Sequence, residues 1–262
     1  MSGYGPSLTP RLRPINPKRS TIVSVLDVGT SKVVCLIAEL QPVSAAEALK
    51  GRSHKARIIG LGHQRARGLK GGVVVDLESA EQSIRLAIDS AERMARVEVR
   101  SVIVNMTGGR LKSEAYHAEI SLRGQGVADA DVRRVFEAMS YTGTEPGRSV
   151  LHSLPTGFSI DETRHIRDPH GMIGERLGVD MHILTSDESA IRNLMLAVER
   201  CHVGVEAVVA SPYASGLSVL VDDEAEMGVA VVDLGGGTTS VGVFSNGVLV
   251  HADAVAVGGN HI

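Results

Sequence analysis

Tryptophan is absent from this chain, and other aromatic residues are few. The 262 residues include only three Phe and four Tyr. Because 43% of the residues are apolar, the chain can still bury a sizeable core, built mainly from Val, Ile, Leu and Ala. The length is enough for one large domain or two ordinary ones.

Cysteine is also scarce, and there is no metal-binding pattern. Cys35 and Cys201 lie within apolar runs and lack the spacing of zinc ligands. We expect them to be buried thiols in a reducing compartment. His165, His170 and His182 have no ligand-like spacing either, so we expect surface histidines or histidines with satisfied hydrogen bonds.

No excess of basic charge is present. The chain has 27 basic and 30 acidic side chains and a net charge of −3, which argues against a nucleic-acid partner. No apolar run approaches the roughly 20 residues that cross a bilayer, and the start lacks the hydrophobic core of a signal peptide. Residues 1–20 are rich in proline and basic residues, without an acid. They predict a disordered basic tail, which could be a solvated arm or could touch anionic lipid.

Common nucleotide-binding motifs are missing too. The chain has no Gly-x-x-x-x-Gly-Lys-Ser/Thr loop, and Gly60-Leu61-Gly62 lacks the third glycine of a dinucleotide-binding loop. Paired Asp-x-Gly-Thr turns also occur in aspartic proteases. That class is all-β and needs Thr or Ser directly after the Asp, where this chain has Val28 and Leu234.

Hydrophobic patterns predict alternating strands and helices. Predicted strands are 21–28, 33–38, 57–62, 99–106, 205–209, 228–234, 240–244 and 248–257. Predicted helices are 76–96, 129–140, 187–201 and 214–221. Residues 41–56 are expected to form a loop, and 107–184 an inserted region of short strands around one helix. This order indicates an α/β fold with a sheet covered on both faces.

Two similar turns stand far apart in the sequence. Residues 25–33 and 231–241 each consist of an apolar strand, an Asp, one apolar residue, a Gly, a turn with Thr or Ser, and a second strand. Glycine lets a backbone approach a phosphate closely, and adjacent turn amides form a donor array. An Asp beside the turn can hold a hydrated Mg²⁺ that accompanies a polyphosphate. Two such turns facing each other therefore predict a polyphosphate site.

These motifs resemble the first and second phosphate motifs of the actin, sugar-kinase and heat-shock-70 superfamily. Within it, residues 67–79, 150–155, 168–172 and 197–201 are similar to segments of the FtsA family. The resemblance covers roughly residues 20–262. It implies an actin-like (ribonuclease H-like) α/β sheet domain, an inserted small α+β 1C (SHS2) subdomain, and a second actin-like sheet only partly present.

The resemblance also implies domain boundaries and site residues. Subdomain 1A would comprise 21–104 plus 185–204, subdomain 1C 105–184, and the start of a truncated subdomain 2A 205–262. The cofactors would be ATP and Mg²⁺, with Asp27 and Asp233 as metal ligands and no catalytic residue. The expected cofactor-binding residues are Asp27, Gly29, Thr30, Ser31, Lys32, Asp233, Gly235, Gly236, Gly237, Thr238, Thr239, Gly258 and Gly259.

The function implied by the resemblance is an actin-like ATP-binding role in cell division. The family anchors the FtsZ ring to the cytoplasmic side of the inner membrane at the septum, polymerises, and recruits later division proteins through subdomain 1C. By this resemblance the chain is expected to lack subdomain 2B, the adenosine motif, the FtsZ-binding surface and the membrane-targeting helix. Slow or absent ATP hydrolysis is expected, because Ser211 stands where hydrolysing relatives place an acid or amide. A small-molecule kinase and a pilus-assembly ATP-binding protein of the same superfamily remain alternatives.

Overall fold

The computed structural model describes residues 15–44, 53–122, 124, 126–139 and 145–261. The predicted basic tail lies outside this part up to residue 14. Residues 15–20 form a turn in which the Arg19 amide donates to the Asn16 carbonyl at 3.2 Å. Residues 45–52 of the predicted 41–56 loop also lie outside it.

A five-stranded sheet is the centre of the fold. Its strands are β1 (Thr21–Val28), β2 (Lys32–Pro42), β3 (His54–Arg65), β6 (Ser101–Met106) and β11 (Gly204–Ala210), in the order β11-β6-β1-β2-β3. The β1–β2 and β2–β3 pairs are antiparallel, whereas β6 is parallel to both β1 and β11. The third strand is longer at both ends than the predicted 57–62.

Two helices pack on this sheet. Helix α1 (Leu77–Ala95) begins after Asp76, whose carboxylate accepts from the Glu78 and Ser79 amides and so caps the helix. Helix α3 (Glu188–Glu199) contributes Ile191 and Leu194 to the same core. Cys35 is also in this core, where burial raises the pKa of its thiol to about 12; Cys201 is only partly buried.

Close helix packing accounts for Gly60 and Gly62 of β3. A Cβ at Gly62 would lie 1.7 Å from the Ala87 carbonyl oxygen of α1, and one at Gly60 would lie 2.5 Å from that of Ala91. Any side chain at either position would push the helix off the sheet. These glycines therefore serve strand–helix contact.

Between β6 and α3 the chain forms a separate four-stranded sheet. Strands β7 (Lys112–Ser121), β8 (Arg148–Ile160), β9 (Thr163–Ile166) and β10 (Arg176–Asp187) lie in the order β7-β10-β8-β9 and are antiparallel. Helix α2 (Asp129–Ala138) packs on it through Val135, beside Leu177 and Val179.

The expectation of short strands in this region was wrong, because three of its strands have 10, 13 and 12 residues. Pro155 does not end β8. The register with β10 shifts between Asp180 and Met181, next to Pro155, and such a bulge tolerates a proline in a strand.

The last part of the chain forms a three-stranded antiparallel sheet of β12 (Val229–Leu234), β13 (Thr239–Ser245) and β14 (Val248–Val255). Helix α4 (Ser211–Val219) lies against it, with Gly216 directly beneath the ring of Phe244. A short helix α5 (Asp222–Met227) follows. The predicted helix at 214–221 was placed too late, because Pro212 is compatible with the first helical turn.

A small hairpin of β4 (Leu69–Lys70) and β5 (Val73–Val74) precedes α1, and a 3-10 turn spans Gly259–His261. Among the helices in the described ranges, none combines the length and apolar character that crossing a membrane requires.

Candidate functional site

The first predicted turn joins β1 to β2. Val28 and Val33 are the last paired residues of the two strands, and residues 29–32 form the loop. The loop is closed by a hydrogen bond from the Gly29 amide to the Lys32 carbonyl oxygen, at 3.0 Å.

The second predicted turn, between β12 and β13, repeats this geometry. Leu234 and Thr239 end the pairing, residues 235–238 form the loop, and the Gly235 amide donates to the Thr238 carbonyl oxygen at 2.9 Å. Both loops thus have four residues and the same closing hydrogen bond. The two Asp residues occupy equivalent places, each in the strand that leads into its turn.

The two turns touch each other. A Cβ added to Gly236 would lie 1.8 Å from the hydroxyl oxygen of Ser31, and one on Gly237 would lie 2.6 Å from the methyl carbon of Thr30. Neither glycine has a positive φ, so the absence of a side chain serves close approach here. Together, the glycines of the second turn let the two phosphate-type turns meet.

Residues 258–260 hold the second turn in place through backbone hydrogen bonds. The Gly259 and Asn260 amides donate to the carbonyl oxygens of Gly235 and Gly236, at 2.9 and 2.8 Å. A Cβ on Gly258 would lie 2.4 Å from the Gly235 oxygen. The Asn260 side-chain amide then donates to the Ser31 hydroxyl at 3.2 Å, which links the support to the first turn.

Both aspartates connect to helix α4. Asp27 accepts from the Asn105 side-chain amide at 3.0 Å, and the Ser211 hydroxyl donates to the Asn105 oxygen at 2.9 Å. Asp233 accepts directly from the Ser215 hydroxyl at 2.9 Å. Residues four apart lie on one helix face, so the two carboxylates reach the same side of α4.

A cavity of about 460 Å³ borders the contact between the turns. Of the predicted cofactor-binding residues, Thr30, Gly237 and Thr238 line it. The other predicted residues, including Asp27 and Asp233, are not among its lining residues. The remaining lining residues are Lys70, Gly71, Val73, Thr107, Gly108, Gly109, Arg110, Asp187, Ala254, Val255, Ala256, Asn260 and His261.

Comparison with known proteins gives the family. The family described as "SHS2 domain inserted in FTSA" matches residues 108–185, which include β7, β8, β9 and β10 up to Thr185. The cell division protein FtsA of Agrobacterium fabrum is 53% identical over 264 aligned residues, covering 100% of this chain and 60% of the relative. FtsA of Rhizobium meliloti is 53% identical over 253 residues, covering 97% of this chain and 57% of the relative. The chain belongs to the FtsA family.

The match extends over this whole chain, which spans about 60% of the length of the FtsA relatives. Among solved structures, the PilM-PilN type IV pilus biogenesis complex is similar at 13% identity, with a TM-score of 0.58 over 91% of this chain and 62% of that one. At that identity the likeness concerns the fold alone. The predicted actin-like α/β fold with an inserted SHS2 subdomain is confirmed.

The site of this FtsA-family chain has the donor chemistry that suits Mg²⁺. Asp27, Asp233 and the surrounding hydroxyls offer hard oxygen ligands, and Mg²⁺ needs few carboxylates because it keeps several waters. The Ser240 hydroxyl is opposite Asp233 in the sheet, is 1% exposed and has no hydrogen-bond partner among the described atoms. Within the described residues, no group of three or more His, Cys, Asp or Glu could hold a metal by itself.

Sequence reasoning missed the contribution of the inserted sheet to this site. His152 on β8 accepts from the Ala210 amide, directly before α4, at 3.0 Å. Its ring packs edge-on against Tyr213 at 4.9 Å between centroids. Burial, with a smaller effect of His182, lowers the pKa of His152 to about 4, so the ring is neutral at pH 7. A long-range contact of this kind leaves no local pattern in the sequence.

The three histidines His165, His170 and His182 do not form a cluster. His165 and His170 are exposed, whereas His182 is 2% exposed, with its Nε2 against the Ser113 hydroxyl at 2.5 Å. His165 and His170 lie on the surface, as expected, and the buried His182 is hydrogen-bonded through Nε2.

Proposed function

We propose that this FtsA-family chain binds ATP together with Mg²⁺ at the two paired turns. One observation carries the proposal. Two loops of the same closure, distant in sequence, contact each other at the edge of one cavity, with their aspartates tied to one helix face. A structural hairpin alone requires neither the contact nor the shared cavity.

The polyphosphate would lie along the cavity wall formed by Thr30, Gly237 and Thr238. The hydroxyls and backbone amides of these residues are donors, and amides in such turns bind phosphate oxygens. Gly258 and Gly259 would act indirectly, by holding the second turn in place. Asp27 and Asp233 would hold the cation and its waters, and the cation would supply positive charge to the phosphates.

Slow turnover follows from the surroundings of Ser211. Ser211 is 1% exposed, and its hydroxyl is hydrogen-bonded to Asn105 at 2.9 Å and to Thr107 at 2.5 Å. A serine hydroxyl is a poor general base near neutral pH, and orientation of the attacking water is a main task in such reactions. A steady-state ATPase rate in the range of working kinases, about 1–100 s⁻¹, would contradict this part of the proposal.

For the cellular role, we propose nucleotide-regulated assembly at the division septum. The supporting observations are family membership and the matched SHS2 domain at residues 108–185. In this proposal the protein binds FtsZ, self-associates, recruits later division proteins through the inserted subdomain, and acts on the cytoplasmic side of the inner membrane. Subdomain 1A would comprise 21–104 with 185–204, subdomain 1C 105–184, and subdomain 2A would begin at 205.

Nucleotide binding is tested by calorimetric titration of MgATP into the parent chain and the Asp27→Asn and Asp233→Asn variants. We expect each variant to weaken MgATP binding at least about tenfold, or 1.4 kcal/mol. Asp223→Asn, an exposed change on α5, is the matched control and should bind like the parent. The proposal fails if the parent shows no saturable binding, or if all three variants bind equally well.

The division role has a separate assay. A fluorescent fusion of a full-length protein carrying this sequence should accumulate at mid-cell only when FtsZ is present. Uniform distribution in dividing cells would count against the assignment, whatever the nucleotide result.

A further inference from the structure

The β4–β5 hairpin brings a second type of turn to the cavity. Lys70 pairs with Val73, so Gly71 and Gly72 form a two-residue loop with φ values of +55° and +75°. Positive φ at both central residues is typical of a type I′ turn, which glycine adopts without strain. The geometry of this hairpin is therefore fixed by its own sequence.

Contacts on two sides hold the hairpin against the site. The Gly72 amide donates to the Thr30 hydroxyl at 3.1 Å, which joins it to the first phosphate-type turn. A Cβ on Gly72 would lie 2.7 Å from the Gly108 nitrogen and 3.2 Å from the Thr238 methyl carbon. The tip of the hairpin thus contacts both turns and leaves no space for a side chain.

This arrangement places Lys70 in the cavity wall, where the residue remains exposed to solvent. Residues directly opposite in an antiparallel pair project from the same face, and Lys70 and Val73 both line the cavity. Lys32, the lysine of the first turn, does not line it. Lys70 is thus the lysine that the fold presents at this wall.

The charge of Lys70 is not paired with a carboxylate in the part of the chain that the structure describes. Arg110 also lines the cavity, but its Nε is 2.7 Å from the Asp187 carboxylate, which also pairs with Arg148 at 3.2 Å. Among the described residues, no carboxylate lies within ion-pair distance of the Lys70 ammonium. The cavity wall therefore carries one lysine charge that an anion could neutralise.

We propose that Lys70 is a phosphate-binding cation of this site, presented by the Gly71–Gly72 hairpin. The inference rests on the proposed polyphosphate function and adds a residue from outside the two turns. An ammonium group binds phosphate oxygens as a point charge, and the contact of Gly72 with Thr30 sets the distance of Lys70 from the turns.

The test titrates inorganic triphosphate with Mg²⁺ into the 262-residue chain by calorimetry at low ionic strength. Lys70→Gln should weaken triphosphate binding about tenfold, and Lys70→Arg should retain most of it because the charge is kept. Lys55→Gln, an exposed change on β3, is the matched control and should bind like the parent. The loss caused by Lys70→Gln should shrink as salt is raised, because salt screens charge attraction.

The outcomes separate this inference from the function on which it rests. If the parent does not bind triphosphate, the proposed function and the role of Lys70 are both overturned. If the parent binds and Lys70→Gln binds equally well, the function stands and the role of Lys70 is refuted. Equal losses in Lys70→Gln and Lys55→Gln would also refute it, since they would show a general charge effect.

Discussion

The two hairpins have nearly the same backbone but very different surroundings. In the first, Leu26 and Val28 are 0% and 6% exposed. In the second, the equivalent Val232 and Leu234 are 58% and 76% exposed. The first pair belongs to the core beneath α1 and α3, whereas in the described chain no element covers the second pair.

This difference shows that the geometry of a turn and the burial of its strands have different origins in the sequence. The turn geometry follows from a short local pattern, which is why both loops close with the same hydrogen bond. The burial of the strands depends on distant helices, which only the first hairpin has in the described residues. A local motif therefore specifies the shape of a site without specifying its stability.

The largest expected effect comes from truncating equivalent residues in the two hairpins. Leu26→Ala should reduce the free energy of unfolding by about 2–5 kcal/mol, because it leaves a cavity in the core. Val232→Ala should change it by less than about 0.5 kcal/mol, as is usual at exposed positions. Urea denaturation followed by circular dichroism measures both. Equal losses would show that the exposed strand is covered in solution.

The next largest effect concerns the burial of His152, which contacts the start of α4 from the inserted sheet. His152, with an ordinary pKa of 6.5 and about 4 in the fold, stays neutral in the native state while it protonates in the unfolded chain. The contribution of neutral His152 to the free energy of unfolding is therefore fully present above pH 6.5 and decreases as the pH drops toward 4. The difference between the two pKa values corresponds to roughly 3 kcal/mol.

His152→Gln tests this because the Gln oxygen can still accept from the Ala210 amide, whereas Gln does not titrate. The fall in unfolding free energy between pH 6.5 and 4 should be smaller in this variant than in the parent. His63→Gln, at an exposed position, should keep the parent slope. An unchanged slope in His152→Gln would show that His152 is solvated.

A third prediction addresses the contact between the hairpins. Gly236→Ala should destabilise the fold by about 1–3 kcal/mol, because its methyl group would overlap the Ser31 hydroxymethyl group. Adding Ser31→Gly should recover part of this loss, since it removes the overlapping atoms. A double-mutant cycle measured by denaturation gives the coupling. If the two changes are simply additive, the turns are separate in solution.

Much of the fold could be predicted from the sequence, because the strands near the site have continuous apolar patterns and α1 has a clear cap at Asp76. The inserted sheet could not, since Pro155 suggests a break where the register of the partner strand instead allows a bulge. The same limit applies to glycines. The sequence excludes Gly60 and Gly62 from a dinucleotide-binding loop, but their role in packing is visible only once α1 is placed above them.

The candidate site likewise contains residues that a local pattern predicts and residues that only the fold brings together. The two turns repeat a local pattern, so their residues can be predicted from the sequence alone. Lys70, His152 and Ser215 approach the site from other elements, and only the three-dimensional arrangement places them there. The Gly71-Gly72 pair was the available signal for Lys70, because two glycines in a short hairpin predict a tight turn.

The smallest effect concerns His170, the exposed counterpart of His152. It lies between Asp168 and Asp129, at 2.5 and 3.0 Å. The hydrogen bond to Asp168 raises the pKa of His170, and the same bond lowers the pKa of Asp168. The contribution of this pair is therefore present below the ordinary histidine pKa of 6.5 and is lost as the pH rises through the raised value. It is also lost in strong acid, once Asp168 protonates.

His170→Gln should thus lower the melting temperature slightly near pH 5–6 and have no effect near pH 9, opposite in direction to the His152 effect. Because both groups are exposed, solvent keeps the effect small, and thermal unfolding at several pH values, with His63→Gln as the control, measures it. A His170→Gln effect that grows with rising pH would show that the histidine is not paired with these carboxylates.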